Sequence, residues 1–160
     1  MATTRNFNAH IEGNMLSLDL SSTAASVDAL VSGSVVTWDT ESVLPATGTS
    51  NKTIGLIAQR VIADPGTDEG FVKPIDPTLA YPGEKVSVYV DGGLYRYVMG
   101  MEDVDGNVVM PSGLAVGDVL DPHGSHGGCF VEGTAGAGQN VLKVVDVSTT
   151  EVICQLLPME

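Results

Sequence analysis

Positive charge is scarce in this chain. Its 160 residues include 7 lysines and arginines against 20 aspartates and glutamates, which gives a formal net charge of −13. A surface of this charge repels the phosphate backbone of nucleic acids and the anionic face of a lipid membrane. The composition therefore argues against nucleic-acid partners and against membrane association.

Cysteine and long apolar runs are equally scarce. The 2 cysteines, Cys129 and Cys154, are too few for a disulfide framework. They can pair with each other, but we expect two buried free thiols, since cysteine packs as a small hydrophobic residue. No apolar run reaches the roughly 18 residues of a membrane-spanning helix. Residues 1–14 are polar and lack the apolar centre of a signal peptide, so we expect no signal peptide there.

Aromatic residues are few, whereas glycine and proline are frequent. The chain has 1 tryptophan, 3 phenylalanines and 4 tyrosines against 19 glycines and 8 prolines. Turn residues that separate short apolar segments are typical of mainly β proteins. We predict a mainly β fold, a small β-sandwich or β-barrel of about 8–10 short strands. At most one short helix is expected, at residues 21–30.

The length of the chain favours a single folded domain. Residues 1–13 are polar and are expected to form a flexible N-terminal arm. Residues 14–160 are expected to form one β-rich domain. Within it, residues 64–84 are rich in proline and glycine and predict an extended loop.

The clearest strand pattern spans residues 81–98, with the sequence YPGEKVSVYVDGGLYRYV. Valines alternate with other residues over 86–90, and an apolar segment returns over 94–98 after Asp91-Gly92-Gly93. We predict a β-hairpin with a three-residue loop, because this loop puts the valines on one face. The other face then carries Tyr89, Tyr95 and Tyr97.

This tyrosine face has two interpretations. Tyrosine and arginine are over-represented at protein–protein interfaces, which predicts a subunit contact formed by Tyr89, Tyr95, Tyr97 and Arg96. The alternative is that the same face forms the second layer of a sandwich core. The sequence leaves both interpretations open.

The loop of residues 121–129, DPHGSHGGC, holds the densest group of reactive side chains. His123, His126 and Cys129 are candidate zinc ligands. Their spacing differs from the common paired zinc signatures, so the sequence favours a glycine-rich surface loop and predicts no metal or cofactor. Ser125 next to His126 is a nucleophile candidate without the Gly-x-Ser-x-Gly elbow.

Two further segments resemble ligand-binding loops only in part. Residues 102–107 contain Glu102, Asp103, Asp105 and Asn107 as candidate calcium ligands, but the glycine and glutamate of a calcium loop are missing from their places. Glycines 133, 136 and 138 have the wrong order for a dinucleotide-binding loop, and a strand follows them. We expect turns at both places, and no catalytic residues.

Four segments carry a resemblance to a known class of proteins. They are GLIAQRV at 55–61, YPGEKVSVYVDGGLYRYV at 81–98, LAVGDVLDPHG at 114–124 and GQNVLKVVDVSTTEVICQLLP at 138–158. Together with the polar N-terminal segment, this pattern resembles the head decoration, or capsid cement, proteins of tailed bacterial or archaeal viruses.

The resemblance implies a structural virion protein without enzymatic activity. Such a protein binds the exterior of an icosahedral capsid, commonly as a homotrimer, and clamps neighbouring major capsid proteins. It would be made in the host cytoplasm, and its acidity would keep it away from packaged DNA. The alternatives are a β-sandwich module of a viral tail or spike that recognises a surface glycan, and a metal-dependent hydrolase built on residues 121–129.

Overall fold

The structure is a computed structural model. It describes residues 7–10, 14–20, 30–39, 41–48, 53–58, 79–80, 85–90 and 92–158. These residues contain strands and turns but no helix, which confirms the mainly β class. The strands are β1 (Phe7–His10), β2 (Asn14–Leu20), β3 (Leu30–Val31), β4 (Val35–Asp39), β5 (Ser42–Pro45), β6 (Thr53–Ile57), β7 (Leu79–Ala80), β8 (Lys85–Val90), β9 (Leu94–Val98), β10 (Val119–Pro122), β11 (Phe130–Glu132), β12 (Leu142–Val147) and β13 (Glu151–Leu156).

The strands form a barrel, an open sheet and a short two-stranded ribbon. The closed barrel has the order β2-β5-β4-β6-β8, and the six-stranded sheet has the order β1-β9-β13-β12-β10-β11. All pairs are antiparallel except β2 with β5. Strand β1 lies within the predicted arm and β7 within the predicted loop, which in part explains why strands outnumber the sequence prediction. The predicted helix at 21–30 lies outside the described residues, apart from Leu30 in β3.

Strands β8 and β9 are present as predicted, but they do not pair with each other. Strand β8 pairs with β2 and β6, whereas β9 pairs with β1 and β13. The predicted hairpin is therefore wrong. Gly92 and Gly93, with φ angles of 85° and 96°, connect a barrel strand to a strand of the open sheet.

Two antiparallel ladders have the same register, one in each sheet. Phe7 lies opposite Tyr97 in the open sheet, and Asn14 lies opposite Val90 in the barrel. Strands β1 and β2 therefore pair with β9 and β8 in one common register. We call these two ladders together the shared ladder.

Two apolar cores follow from this arrangement. The barrel interior contains Val36 and Ile57, whereas their chain neighbours Val35 and Leu56 pack in the larger core that includes the inner face of the open sheet. Adjacent residues on a strand point to opposite faces. Strands β4 and β6 are therefore buried on both faces, between barrel interior and open sheet.

Turn residues in the sequence predict two further hairpins, one over residues 99–110 and one around Ser148-Thr149-Thr150, and both are present. Strands β12 and β13 pair around residues 148–150, with a bulge between Val144 and Asp146. Residues 99–110 also fold back on themselves, since the Val109 N–H donates to the Met101 carbonyl at 2.7 Å. The strong local turn signals explain why the sequence located both.

Gly55 provides a test of barrel closure. A Cβ atom added at this position would lie 1.9 Å from the Tyr89 carbonyl oxygen of β8. We therefore expect Gly55→Ala to lower the free energy of unfolding by about 3 kcal/mol, because backbone must move to relieve the overlap. Urea unfolding followed by circular dichroism measures the change.

Gly124→Ala is the matched control. A Cβ atom at Gly124 meets nothing within 4 Å, so its unfolding free energy should stay within about 0.5 kcal/mol of the parent chain. Equal stabilities of the two variants would contradict the close approach of β6 to β8.

Candidate interaction surface

The structure places two of the predicted interface tyrosines in the core. Tyr95 is 1% exposed and Tyr97 is 0% exposed, and both pack in the larger core. Tyr89 is half-buried, with its ring centroid 5.2 Å from that of Tyr95. The predicted contact through Tyr95 and Tyr97 is therefore corrected in favour of the core interpretation. The reason is that β8 and β9 lie in different sheets, so the valine face of one and the tyrosine face of the other are both covered.

The buried tyrosines also satisfy their hydroxyl groups. Tyr97 donates a hydrogen bond to the Gly33 carbonyl at 2.8 Å, and Tyr95 donates one to the Gly92 carbonyl at 2.8 Å. Burial raises the pKa of Tyr95 to about 12 and that of Tyr97 well above its usual value. Both phenols therefore remain neutral donors at physiological pH.

The fourth predicted interface residue, Arg96, lies on the opposite side of β9. We call this side, together with the solvent-facing residues of β13 and β12, the outer face. Along β9 the exposed residues alternate with the buried tyrosines, as the period of a strand requires. The residues of the outer face are Leu94, Arg96, Val98, Lys143, Val145, Asp146, Glu151, Ile153 and Gln155.

Apolar side chains lie on the outer face in partly exposed positions. Leu94 is 39% exposed and Val145 is 37% exposed. Ile153 is half-buried and lies opposite Arg96 in the ladder between β9 and β13. The outer face therefore combines aliphatic and charged side chains on neighbouring strands.

The adjoining strand β10 is covered instead by the loop of residues 133–140. The Asn140 side-chain amide donates to the Asp121 carboxylate at 2.8 Å and to the Ala137 carbonyl at 2.9 Å. Its oxygen accepts the Gly136 N–H at 2.9 Å. A Cβ atom at Gly133 or Gly138 would lie within 2.6 Å of that carboxylate. The glycines therefore allow the loop to close over β10, whereas the described residues of the outer face on β9, β12 and β13 stay exposed or half-buried.

The charges of the outer face balance, although the chain as a whole is acidic. Arg96 and Lys143 stand against Asp146 and Glu151. The Arg96 guanidinium lies 3.9 Å from the Glu151 carboxylate, with the two side chains 53% and 40% exposed. An exposed pair of this kind adds little stability. Its main effect is to make this face electrically neutral on a chain of net charge −13.

The three candidate zinc ligands are not brought together as a set, although the ring centroids of His123 and His126 lie 4.6 Å apart. Cys129 is fully buried, and its Sγ atom lies 3.8 Å from a carboxylate oxygen of Asp103. His126 is exposed, and the His123 Nδ1 atom accepts the backbone N–H of Ser125 at 3.1 Å. Among the described residues, no group of three or more histidine, cysteine and acidic side chains can hold a metal ion.

The acidic segment of residues 102–107 forms a turn. One carboxylate oxygen of Asp103 accepts the N–H groups of Asp105 at 2.9 Å and Asn107 at 2.8 Å. Gly106 adopts a φ of 83°, which favours glycine at this place. The Asp103 carboxylate therefore holds the turn that the sequence predicts.

The two cysteines are free and buried, as expected. Burial, followed by the neighbouring charge of Asp103, raises the pKa of Cys129 to about 12. Burial alone raises the pKa of Cys154 to about 12. Since the thiolate is the reactive form, both thiols are inert near neutral pH.

Comparison with protein-family models, with curated proteins and with solved structures finds no match to this chain. No helix long and apolar enough to cross a membrane occurs in the part of the chain that the structure describes. The residues of the outer face, which the sequence pointed to only through Arg96, are therefore the starting point for a functional proposal.

Removal of the Tyr97 hydroxyl tests the buried contact between sheet and barrel. Tyr97→Phe leaves the Gly33 carbonyl without this donor, so we expect a loss of about 1–3 kcal/mol in unfolding free energy. Tyr95→Phe is the control, because the hydrogen bond from the Tyr95 hydroxyl to the Gly92 carbonyl is only partly buried. Chemical denaturation of both variants should show the larger loss for Tyr97→Phe, and the reverse order would contradict the assignment.

The buried thiols predict a loss of stability at alkaline pH. Unfolded cysteines lose their protons from about pH 9, whereas the folded pKa values are about 12. The stabilisation from neutral burial is thus complete below pH 9 and disappears as the pH rises towards 12. Each such group contributes a slope of up to about 1.4 kcal/mol per pH unit.

Urea midpoints between about pH 8 and pH 10.5 measure this slope. The double variant Cys129→Ala with Cys154→Ala should show a flatter decline, because the two thiols with raised pKa values are then absent. Identical slopes in the two proteins would show that the thiols do not contribute.

Proposed function

We propose that this chain is a structural protein of a tailed virus that binds the exterior of the capsid and stabilises it. In this proposal it clamps neighbouring major capsid proteins, and it assembles as a homotrimer. It has no catalytic role. The observation that carries the proposal is the outer face, a partly exposed and charge-neutral sheet surface on an otherwise acidic chain.

The resemblance to capsid cement proteins supports this function through its position in the fold. The segment at 81–98 supplies β8 and β9, and the segment at 138–158 supplies β12 and β13. The segment at 114–124 supplies β10, and the one at 55–61 includes the end of β6. The four segments therefore supply part of the barrel and four of the six strands of the open sheet, including the strands that carry the outer face.

The chemistry of the outer face also supports a protein partner. Leu94, Val145 and Ile153 offer apolar area, and Arg96 and Lys143 offer hydrogen-bond donors. A capsid shell presents many copies of its binding site, so a modest contact on each subunit adds up when the bound protein is multivalent. A homotrimer would exploit this effect, which is why we include it in the proposal.

Glycan recognition, the alternative function, receives less support from the described residues. Sugar sites commonly use several exposed aromatic rings, and Tyr95 and Tyr97 are buried. Trp38 is 46% exposed at the end of β4. A single exposed tryptophan is a narrow basis for glycan binding.

Binding to empty, expanded capsids of the virus that encodes the chain tests the proposal. We expect the purified protein to sediment with these shells, to raise the temperature at which they fall apart, and to sediment as a trimer when alone. A monomer that does not bind the shells would overturn the proposal.

Substitution on the outer face locates the contact. Leu94→Asp places a charge among the apolar side chains, so we expect at least a tenfold loss of capsid affinity, or about 1.4 kcal/mol. Val104→Asp is the matched control, because Val104 is 42% exposed and lies in the turn of residues 102–107, which belongs to none of the strands of the outer face. Thermal unfolding of both variants should match the parent chain. An equal loss of binding in both would exclude a specific role of the outer face.

A further inference from the structure

Residues 123–128, with the sequence HGSHGG, connect β10 to β11 and lie against the barrel. We call this segment the strap. The Gly48 N–H donates to the His123 carbonyl at 3.0 Å, and the Gly128 N–H donates to the Ala46 carbonyl at 2.9 Å. The Gly128 carbonyl accepts the Val35 N–H at 3.1 Å. The strap therefore fastens the open sheet to β4 and to the segment after β5.

The strap approaches the barrel closely because it is rich in glycine. A Cβ atom at Gly127 would lie 2.8 Å from the Cβ atom of Pro45, and one at Gly128 would lie 3.2 Å from that of Ser34. Gly128 also has a φ of 87°. The three backbone hydrogen bonds consequently depend on the backbone conformation of these few residues.

The imidazole of His123 stabilises this backbone conformation through hydrogen bonds within the strap. Its Nδ1 atom accepts the backbone N–H of Ser125 at 3.1 Å and that of His126 at 3.2 Å. The Ser125 hydroxyl lies 3.4 Å from the same atom. The lone pair on Nδ1 is available only in the neutral imidazole with its proton on Nε2. The turn of the strap thus requires one protonation state of one side chain.

If Nδ1 carried a proton, it could no longer accept the backbone N–H groups of Ser125 and His126. Its own N–H would point at these two donors instead. Histidine is the side chain that ordinarily changes charge between about pH 5 and 8. The ring centroids of His123 and His126 lie 4.6 Å apart, so two charged rings would also repel each other. Protonation therefore removes the local support of the strap and adds a repulsive pair.

The other described groups around the strap do not offset this change. On the barrel side, the strap lies close to three residues without charge, namely Ser34, Pro45 and Thr47. The Asp121 carboxylate accepts a hydrogen bond from the Asn140 amide. The Asp103 carboxylate lies beside the thiol of Cys129, the residue that follows the strap. Among the described residues, neither imidazole forms an ion pair.

We propose that the strap is a pH-sensitive fastener between the open sheet and the barrel, which is released when His123 takes up a proton. The release opens the hydrogen bonds at Gly48 and Gly128 while the pairing of the shared ladder is retained. This device is independent of capsid binding, so it stands or falls separately from the proposed function.

Hydrogen exchange of individual amides, followed by NMR at about pH 7.5 and pH 5.5, tests the device. In the parent chain, we expect the protection factors of the Gly48 and Gly128 amides to fall at least about tenfold at the lower pH. The fall should follow the titration of the His123 ring protons and not that of the His126 ring protons. Protection that stays constant with pH would overturn the proposal.

Three variants separate protonation from simple structural support. His123→Asn keeps an acceptor oxygen in the place of Nδ1 but cannot gain a proton, so its protection should be high at both pH values. His123→Ala loses the acceptor and should show low protection at both. His126→Asn should retain the pH dependence of the parent chain. The same pH-dependent fall in His123→Asn as in the parent chain would show that another group is responsible.

Discussion

The shared ladder is the constraint on which the rest of the structure depends. It pairs β1 with β9 in the open sheet and β2 with β8 in the barrel, both in a single register. Because this pairing keeps the open sheet next to the barrel, the surfaces that face each other must be apolar. Strands β4 and β6 meet this demand with adjacent buried residues, such as Val35 with Val36 and Leu56 with Ile57.

Small residues and buried hydroxyl groups make this contact close. Gly55 allows β6 to approach the backbone of β8, and the glycines of the strap allow the segment before β11 to reach the barrel. The Tyr97 hydroxyl crosses the larger core to the Gly33 carbonyl. A buried carbonyl without a partner would cost more than the hydrogen bond gains. The contact between barrel and sheet therefore combines apolar packing with a few polar bonds that fix its position.

The sequence predicted the strands better than their partners. Alternation located β8 and β9, and turn signals located the hairpin of β12 and β13, because both signals are local. Strand pairing depends on contacts between distant residues. A glycine pair between two apolar segments is therefore compatible both with a hairpin and with the crossing from β8 to β9. The same ambiguity affected the tyrosines: their common face was predicted, but whether it lay inside depended on the partner strands. The free cysteines were predicted because burial of a small thiol needs no particular neighbour.

The buried face of the open sheet also determines what the outer face can do. Tyr95, Tyr97 and Cys154 alternate along β9 and β13 with Leu94, Arg96 and Ile153, so each exposed residue stands between residues locked in the core. Binding to a surface held in this way orders few additional backbone groups, which reduces the entropic cost of association. Repulsion between this acidic chain and an acidic partner would be least at the outer face, where the charges of Arg96 and Lys143 cancel those of Asp146 and Glu151. Rigidity and local neutrality are therefore the two physical grounds on which we propose this part of the described surface as a protein contact.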